Sequence, residues 1–140
     1  MQEYRNQSVQ IQQLIFNVFA ILKKQADSIF RKHNLTGAQV GVLTRLSETE
    51  GKPMNKISSE LWCDVRNITG VVERLEKQNF VWRTAHPEDR RINLIGLTHQ
   101  GRTALSETLP EHETALIERI NILSAEERQA LINILTKLVK

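Results

Sequence analysis

The chain has 140 residues, 40% of them hydrophobic, which is enough to fill the core of one domain with helical extensions. Its 19 basic and 16 acidic residues leave a net charge of +3, so the composition permits an anionic partner without establishing one. The single cysteine excludes an intrachain disulfide, and no apolar run approaches the roughly 18 residues of a membrane span. The first residues lack the basic-then-apolar pattern of a signal peptide, so we expect a cytoplasmic protein.

A long first helix is predicted from about Val9 to His33, where apolar residues recur at helical spacing. At a rise of 1.5 Å per residue such a helix is roughly 35 Å long. Its apolar stripe is wider than a single small domain covers. A helix from a second copy of the chain is one way to cover it.

Three further helices are predicted before the sequence pattern changes. The stretch Thr36-Gly37-Ala38-Gln39 is a capping-box pattern that opens a second helix, and Gly51-Lys52-Pro53 predicts its end. Asn55 is predicted to cap a short third helix. After a turn, Asp64 is predicted to cap a fourth helix from about Val65 to Gln78.

A β-hairpin is predicted next, because Phe80–Ala85 and Ile92–Leu97 are rich in strand-forming residues and flank a turn at His86–Arg90. Thr98 is predicted to cap the following helix. Pro110 is predicted to kink or interrupt that helix, since proline removes a donor and clashes with the preceding turn.

A last helix is predicted after Ser124-Ala125-Glu126-Glu127, a second capping-box pattern. The order is therefore four helices, a hairpin and two helices. Two short helices joined by a tight turn and followed by a hairpin are typical of a winged helix-turn-helix. The predicted fold class is mainly α with a small β-hairpin, a winged helix-turn-helix flanked by N- and C-terminal helices.

The fourth helix has one apolar face and one polar face, as a recognition helix would. Near its N-terminus, Arg66 is suited to a guanine and Asn67 to an adenine. Thr69 is suited to a phosphate or a thymine methyl group, and Arg74, further along, to the DNA backbone. A solvated amphipathic helix would show the same face. The order of helix, turn, helix and hairpin favours DNA binding.

Gly70 is unusual within this helix because a mid-helix glycine costs about 0.5–1 kcal/mol relative to alanine. Two explanations are open. The helix approaches DNA closely at this point, or a neighbouring helix crosses there and needs room.

Three charged residues, Asp89, Arg90 and Arg91, lie in a row at the tip of the hairpin. Any solvated turn is polar, so the run alone proves little. Asp89 and Arg91 are two residues apart and share a side of extended backbone, where they are expected to pair and stiffen the turn. Arg90 would then be held ready to enter a narrow minor groove, whose negative potential attracts a guanidinium.

The stretch HPEDRRINLIGLTHQG resembles the wing signature of the MarR family of bacterial transcriptional regulators, with its Asp-x-Arg followed by Leu-Thr-x-x-Gly. The preceding ISSELWCDVRNITGVVERLEKQNFVWR is similar to the helix-turn-helix of that family. Asn79 stands where the family usually has glycine, and asparagine also tolerates the left-handed backbone.

The resemblance implies a homodimeric repressor that binds a pseudo-palindromic operator in double-stranded DNA and is released by a small anionic or phenolic effector. Residues 1–35 and 99–140 would supply dimerisation helices, and residues 36–98 would form the DNA-binding lobe. The candidate DNA-contacting residues are Asn55, Arg66, Asn67, Thr69, Gly70, Arg74, Asp89, Arg90 and Arg91.

Other functions receive less support from the sequence. A redox sensor acting through Cys63 and a winged-helix module that binds protein both remain open. The four histidines are scattered without metal-ligand spacing, so no metal site is predicted. The chain has neither a glycine-rich phosphate loop nor a nucleophile elbow, so neither an enzyme nor a cofactor is predicted.

Overall fold

The computed structural model describes residues 1–61 and 67–140, together with the helical backbone of residues 65 and 66. The predicted turn at 62–64, with the caps and cysteine assigned to it, lies outside the described residues. The elements in chain order are α1 (Gln2–Arg31), α2 (Gly37–Leu46), β1 (Lys52–Pro53), α3 (Met54–Glu60), α4 (Val65–Lys77), β2 (Val81–Ala85), β3 (Asn93–Leu97), α5 (His99–Ile120) and α6 (Ala125–Leu138).

Three helix starts agree with the predicted caps. The Thr36 hydroxyl accepts the Gln39 N–H at 3.2 Å, and the Gln39 side chain accepts the Thr36 N–H at 3.0 Å. Ser124 forms the same reciprocal pair of hydrogen bonds at the start of α6. Thr98 accepts the Gly101 N–H at 3.0 Å. These caps satisfy amide groups that have no partner within the helix.

The predicted cap at Asn55 is wrong. Helix α3 begins at Met54, with Pro53 in extended backbone as the capping position and no capping side chain. Pro53 is held there because β1 ends at this residue, paired with Leu94 of β3. Asn55 therefore lies inside the first turn of α3, where it is exposed.

The wing is a three-stranded antiparallel sheet in the order β1-β3-β2, rather than the predicted two-stranded hairpin. The extra strand comes from Lys52 and Pro53, which were predicted only to end the second helix. Lys52 pairs with Ile95 of β3. Strands β2 and β3 pair from Val81 opposite Leu97 to Ala85 opposite Asn93. The third strand ties the base of the wing to the start of α3.

Of the two outcomes predicted at Pro110, the interruption is wrong, because α5 is continuous for 22 residues, and the kink stays a prediction. Pro110 is exposed, whereas the turns around it are anchored. Leu105 and Thr108 are buried, and Leu109 and Ala115 pack against the core. This packing offsets the cost of a proline in a helix interior, about 3 kcal/mol.

The core lies between α2, α3, α4 and the sheet, and α4 contributes Ile68, Val72 and Leu75, each at most 1% exposed. The predicted apolar face of the fourth helix is therefore confirmed. Asn79, just after this helix, has a φ of 63°, the left-handed conformation expected there.

The joint between the wing and α5 explains why glycine stands at position 101. The Thr98 hydroxyl donates to the Asn79 carbonyl at 2.6 Å, which draws the start of α5 onto the end of the recognition lobe. A Cβ on Gly101 would lie 2.0 Å from the Phe80 carbonyl oxygen.

We expect Gly101→Ala to lower the free energy of unfolding by about 2 kcal/mol or more, because backbone has to shift to admit the methyl group. Chemical denaturation followed by circular dichroism measures the change. Alanine at exposed Gln100 is the control and should leave stability nearly unchanged. Equal stability of the two variants would contradict the close approach.

The outer helices carry apolar surface that the chain itself does not cover. In α1 only Ile29 and Phe30 are buried, and α6 has no buried residue. Phe16 and Phe19 are 62% and 63% exposed. The assignment of residues 1–35 and 99–140 to dimerisation stays a prediction.

Candidate DNA-binding surface

Helix α4 presents polar side chains on the outside of the lobe. Asn67 and Arg74 are exposed, and Thr69 between them is half-buried. The side chain of Arg66 lies outside the described residues, so its predicted base contact is neither supported nor contradicted. Because Ile68 and Val72 are buried, the face that carries Asn67 and Arg74 points away from the core.

Gly70 of α4 is half-buried, next to the half-buried Thr69. No described atom lies within 4 Å of a Cβ built on it, so no crossing helix explains the glycine. Of the two explanations open from the sequence, the one that needs room for a neighbouring helix is wrong. Close approach of DNA remains as a prediction.

Gly70→Ala separates folding from binding. We expect the free energy of unfolding to rise by about 0.5–1 kcal/mol, because alanine is the better helix former and has open space. We expect DNA affinity to fall several-fold, because the methyl group stands where the helix would approach DNA. Denaturation and DNA titration of the same sample measure the two effects. Unchanged DNA affinity would contradict a close approach at Gly70.

A cleft of about 340 Å³ separates α4 from the wing and brings together three of the predicted site residues. Asn55 comes from α3, Thr69 from α4 and Arg91 from the wing. Asn55 therefore lies on this surface although it does not cap α3. Arg83 also lines the cleft, although the sequence analysis did not single it out.

Asn67 and Arg74 lie on the other flank of α4. They line a groove against the start of α2, together with Gly37 and Ala38. The predicted residues of α4 are therefore divided. Thr69 faces the wing, and Asn67 and Arg74 face α2.

The wing tip has the predicted Asp89–Arg91 pair. The Asp89 carboxylate accepts the Arg91 amide N–H at 3.1 Å and two guanidinium donors, each at 3.0 Å. The hydrogen bonds from the Arg91 side chain hold the pKa of Asp89 below its usual value. His86 adds a further tie, since its Nδ1 accepts the Glu88 N–H at 3.0 Å.

Arg90 is exposed at this tip and has no ion pair among the described residues. Arg91 has its charge matched by Asp89, so Arg90 is the wing-tip cation whose charge is not already neutralised. This agrees with the prediction that Arg91 stiffens the turn and leaves Arg90 ready for the minor groove.

Two functional candidates were missed by the sequence analysis. Glu76 of α4 and Arg83 of β2 form an ion pair across the gap between recognition helix and wing. A usable signal was present, because Arg83 is two residues from the buried Val81 and so shares its face of the sheet.

The phenylalanines of α1 do not come together in one place. Phe30 is buried beside His112, with ring centroids 5.0 Å apart, and Phe16 and Phe19 are exposed. A shallow cleft of about 360 Å³ instead lies where α1, the start of β2 and α5 meet, lined in part by His33, Phe80 and His99.

Metal and membrane sites were searched across the described part of the chain. No group of three potential metal ligands was found there. None of the described helices combines the length and the apolar character needed to cross a membrane.

Residues 35–92 match the family model described as the MarR family. The chain is 32% identical over 96 residues to the HTH-type transcriptional regulator MhqR of Bacillus subtilis, covering 69% of this chain and 66% of MhqR. The chain belongs to the MarR family. Its alignment with MhqR spans slightly less than two thirds of that protein's length.

Solved structures place the whole chain within the fold of this family. A protein of Pseudomonas aeruginosa described as a probable transcriptional regulator is 30% identical, with a TM-score of 0.75 over 89% of this chain and 96% of that one. A mutant of E. coli MarR in complex with operator DNA has a TM-score of 0.87 at 22% identity, over 96% and 97% of the two chains. The winged helix-turn-helix fold predicted from the sequence is confirmed.

Proposed function

We propose that this MarR-family chain is a transcriptional repressor that binds a pseudo-palindromic operator as a homodimer and is released by a small-molecule effector. The observation that carries DNA binding is the surface on which Asn55, Thr69 and Arg91 line one cleft beside the exposed Asn67 and Arg74. The operator-bound E. coli relative, which has the same fold, adds support.

In the proposed complex α4 lies in the major groove. Arg66 pairs with a guanine and Asn67 with an adenine near the helix N-terminus, where side chains reach base edges. Arg74 contacts the backbone, which positions the helix without reading sequence. The wing then extends beside the helix, and Arg90 enters the adjacent minor groove.

A homodimer accounts for the outer helices. The exposed apolar side chains of α1 and α6 form more surface than a soluble monomer usually leaves uncovered. Pairing these helices with those of a second copy would bury them. Each dimer would present two recognition helices, with half-sites about 34–36 Å apart.

Effector control would act between the recognition lobe and the dimerisation helices. A ligand shifts a conformational equilibrium only by its difference in affinity for the two states. The cleft at the junction of α1, β2 and α5 lies where such a difference can arise, since Phe80 belongs to the lobe and His99 to the long helix. In a relative of 25% identity, BpsR of Bordetella bronchiseptica, DNA binding is regulated by 6-hydroxynicotinic acid.

Selection of duplex DNA from a random pool at about physiological salt tests the proposal, together with light scattering of the free protein. We expect a dimer that enriches an inverted repeat with half-sites about 10 base pairs apart. General, salt-sensitive binding without enrichment would contradict a sequence-specific regulator. A monomer that nevertheless enriches a single half-site would contradict the dimer alone.

A further inference from the structure

The ion pair between Glu76 and Arg83 joins the recognition helix to the wing. Glu76 is the penultimate residue of α4, and Arg83 is the middle residue of β2. Arg83 Nε donates to Glu76 Oε1 at 2.8 Å, and Nη2 donates to the same oxygen. Within the described part of the chain, no other ion pair connects α4 to the sheet.

Both partners are partly shielded from water, with 26% of the Arg83 side chain and 36% of the Glu76 side chain exposed. A guanidinium that places two donors on one carboxylate is directional, unlike a single contact from a flexible lysine. The pair therefore restricts how the wing can tilt against α4.

The place of this pair matters for the function proposed above. Arg83 lines the cleft that also contains Thr69 of α4 and Arg91 of the wing. The two elements that would enter neighbouring grooves of DNA thus meet at this ion pair.

Resting on the proposed DNA-binding function, we propose that Glu76 and Arg83 are a positioning pair. Their ion pair fixes the angle between the wing and the recognition helix, so that Arg90 and the N-terminal end of α4 reach adjacent grooves at the same time. Arg83 acts through Glu76 and does not bind phosphate itself.

Substitution of Glu76 tests the proposal through the direction in which DNA affinity changes. Removing an acidic residue from a surface that faces phosphates strengthens general binding by charge alone. A positioning role demands the opposite, because loss of Glu76 frees the wing although it removes a repulsive charge. Glu73 supplies the matched control, since it lies on the same helix, is exposed, and has no ion pair among the described residues.

The experiment measures affinity for the selected operator over a range of salt concentrations, with the full chain as wild type, Glu76→Ala, Glu73→Ala, Arg83→Gln and the Glu76→Ala/Arg83→Gln double variant. We expect Glu76→Ala and Arg83→Gln each to weaken binding about tenfold, and the double variant to be no weaker than either. We expect Glu73→Ala to bind as well as wild type or better. The salt slope should stay close to that of wild type, because Arg90 and Arg91 are retained and still neutralise phosphates from a less well ordered wing.

Repeated selection with Glu76→Ala supplies a second readout. Base preferences at the outer operator positions, which the wing reads, should weaken. Base preferences at the positions that α4 reads should persist. A variant that merely folds less well would lose both in proportion. Arg83→Lys, which keeps the charge but not the paired donors, should show an intermediate loss with an unchanged salt slope.

Three results would overturn the positioning role. If Glu76→Ala binds like Glu73→Ala while Arg83→Gln weakens binding and lowers the salt slope, Arg83 is a phosphate contact. Additive losses in the double variant would mean that the two residues act separately. If wild-type protein selects no DNA, both the proposed function and this inference, which rests on it, are wrong. Selection by wild type with unaltered variants contradicts the inference alone.

Discussion

Phe19→Glu is expected to raise the dissociation constant of the proposed dimer roughly 100-fold or more. Phe19 is 63% exposed in the single chain, so it contributes little to the core of its own lobe. Burying a phenylalanine is worth about 1.5–3 kcal/mol, and a symmetric dimer buries two. Glutamate forfeits this burial and places two carboxylates in an apolar interface.

Sedimentation equilibrium of Phe19→Glu measures dimerisation, and titration with the selected operator measures its consequence. Asn17→Glu adds the same charge to the polar stripe of α1 and should leave the dimer intact. The circular dichroism of both variants should remain mainly helical, because the lobe core does not include the first half of α1. A Phe19→Glu protein that stays dimeric would place the interface elsewhere.

Arg90→Ala is expected to weaken operator binding about tenfold or more and to leave the dimer unchanged. Arg90 is the wing-tip cation without an ion pair among the described residues, so its whole charge is available to DNA. Each phosphate charge that the protein neutralises contributes about 0.9 to the salt slope, so a dimer should lose about 2.

Arg91→Ala makes the informative comparison with Arg90→Ala. Arg91 already neutralises Asp89, so its removal should lower the salt slope less while loosening the turn that Asp89 holds. Arg102→Ala, on the exposed side of α5, controls for the loss of one positive charge. Identical salt slopes for wild type and Arg90→Ala would rule out a direct role for Arg90 at phosphates. Loss of folding would make the arginine structural.

The wing is braced by two ion pairs, and among the described residues Arg90 at its tip is left without an acidic partner. Asp89 accepts three hydrogen bonds from Arg91, and Glu76 holds Arg83 at the base. Two arginine charges in the wing are thereby matched by carboxylates. Among the described wing residues, Arg90 is therefore the arginine whose charge is left for a narrow groove.

Much of the recognition lobe was predictable because the signals are local. The caps at Thr36, Thr98 and Ser124 depend on residues three positions apart, so the sequence alone specifies them. The Asp89–Arg91 pair spans two residues and was predictable for the same reason. The family motifs in the wing and α4 brought the fold and the class of function within reach.

Other features depended on contacts between distant parts of the chain. Strand β1 exists because Lys52 and Pro53 pair with β3 some forty residues later, and that pairing displaced the predicted cap at Asn55. Packing of α5 on the core overrode the helix-breaking tendency of Pro110.

By itself, the sequence determined the order of elements, the apolar face of α4 and the charged wing tip, since periodicity and capping act within a few residues. Only the tertiary structure decided that no described helix crosses at Gly70 and that Arg83 reaches Glu76. Such contacts depend on how helices and strands pack against one another, and no pattern within a single element encodes the distance between two elements.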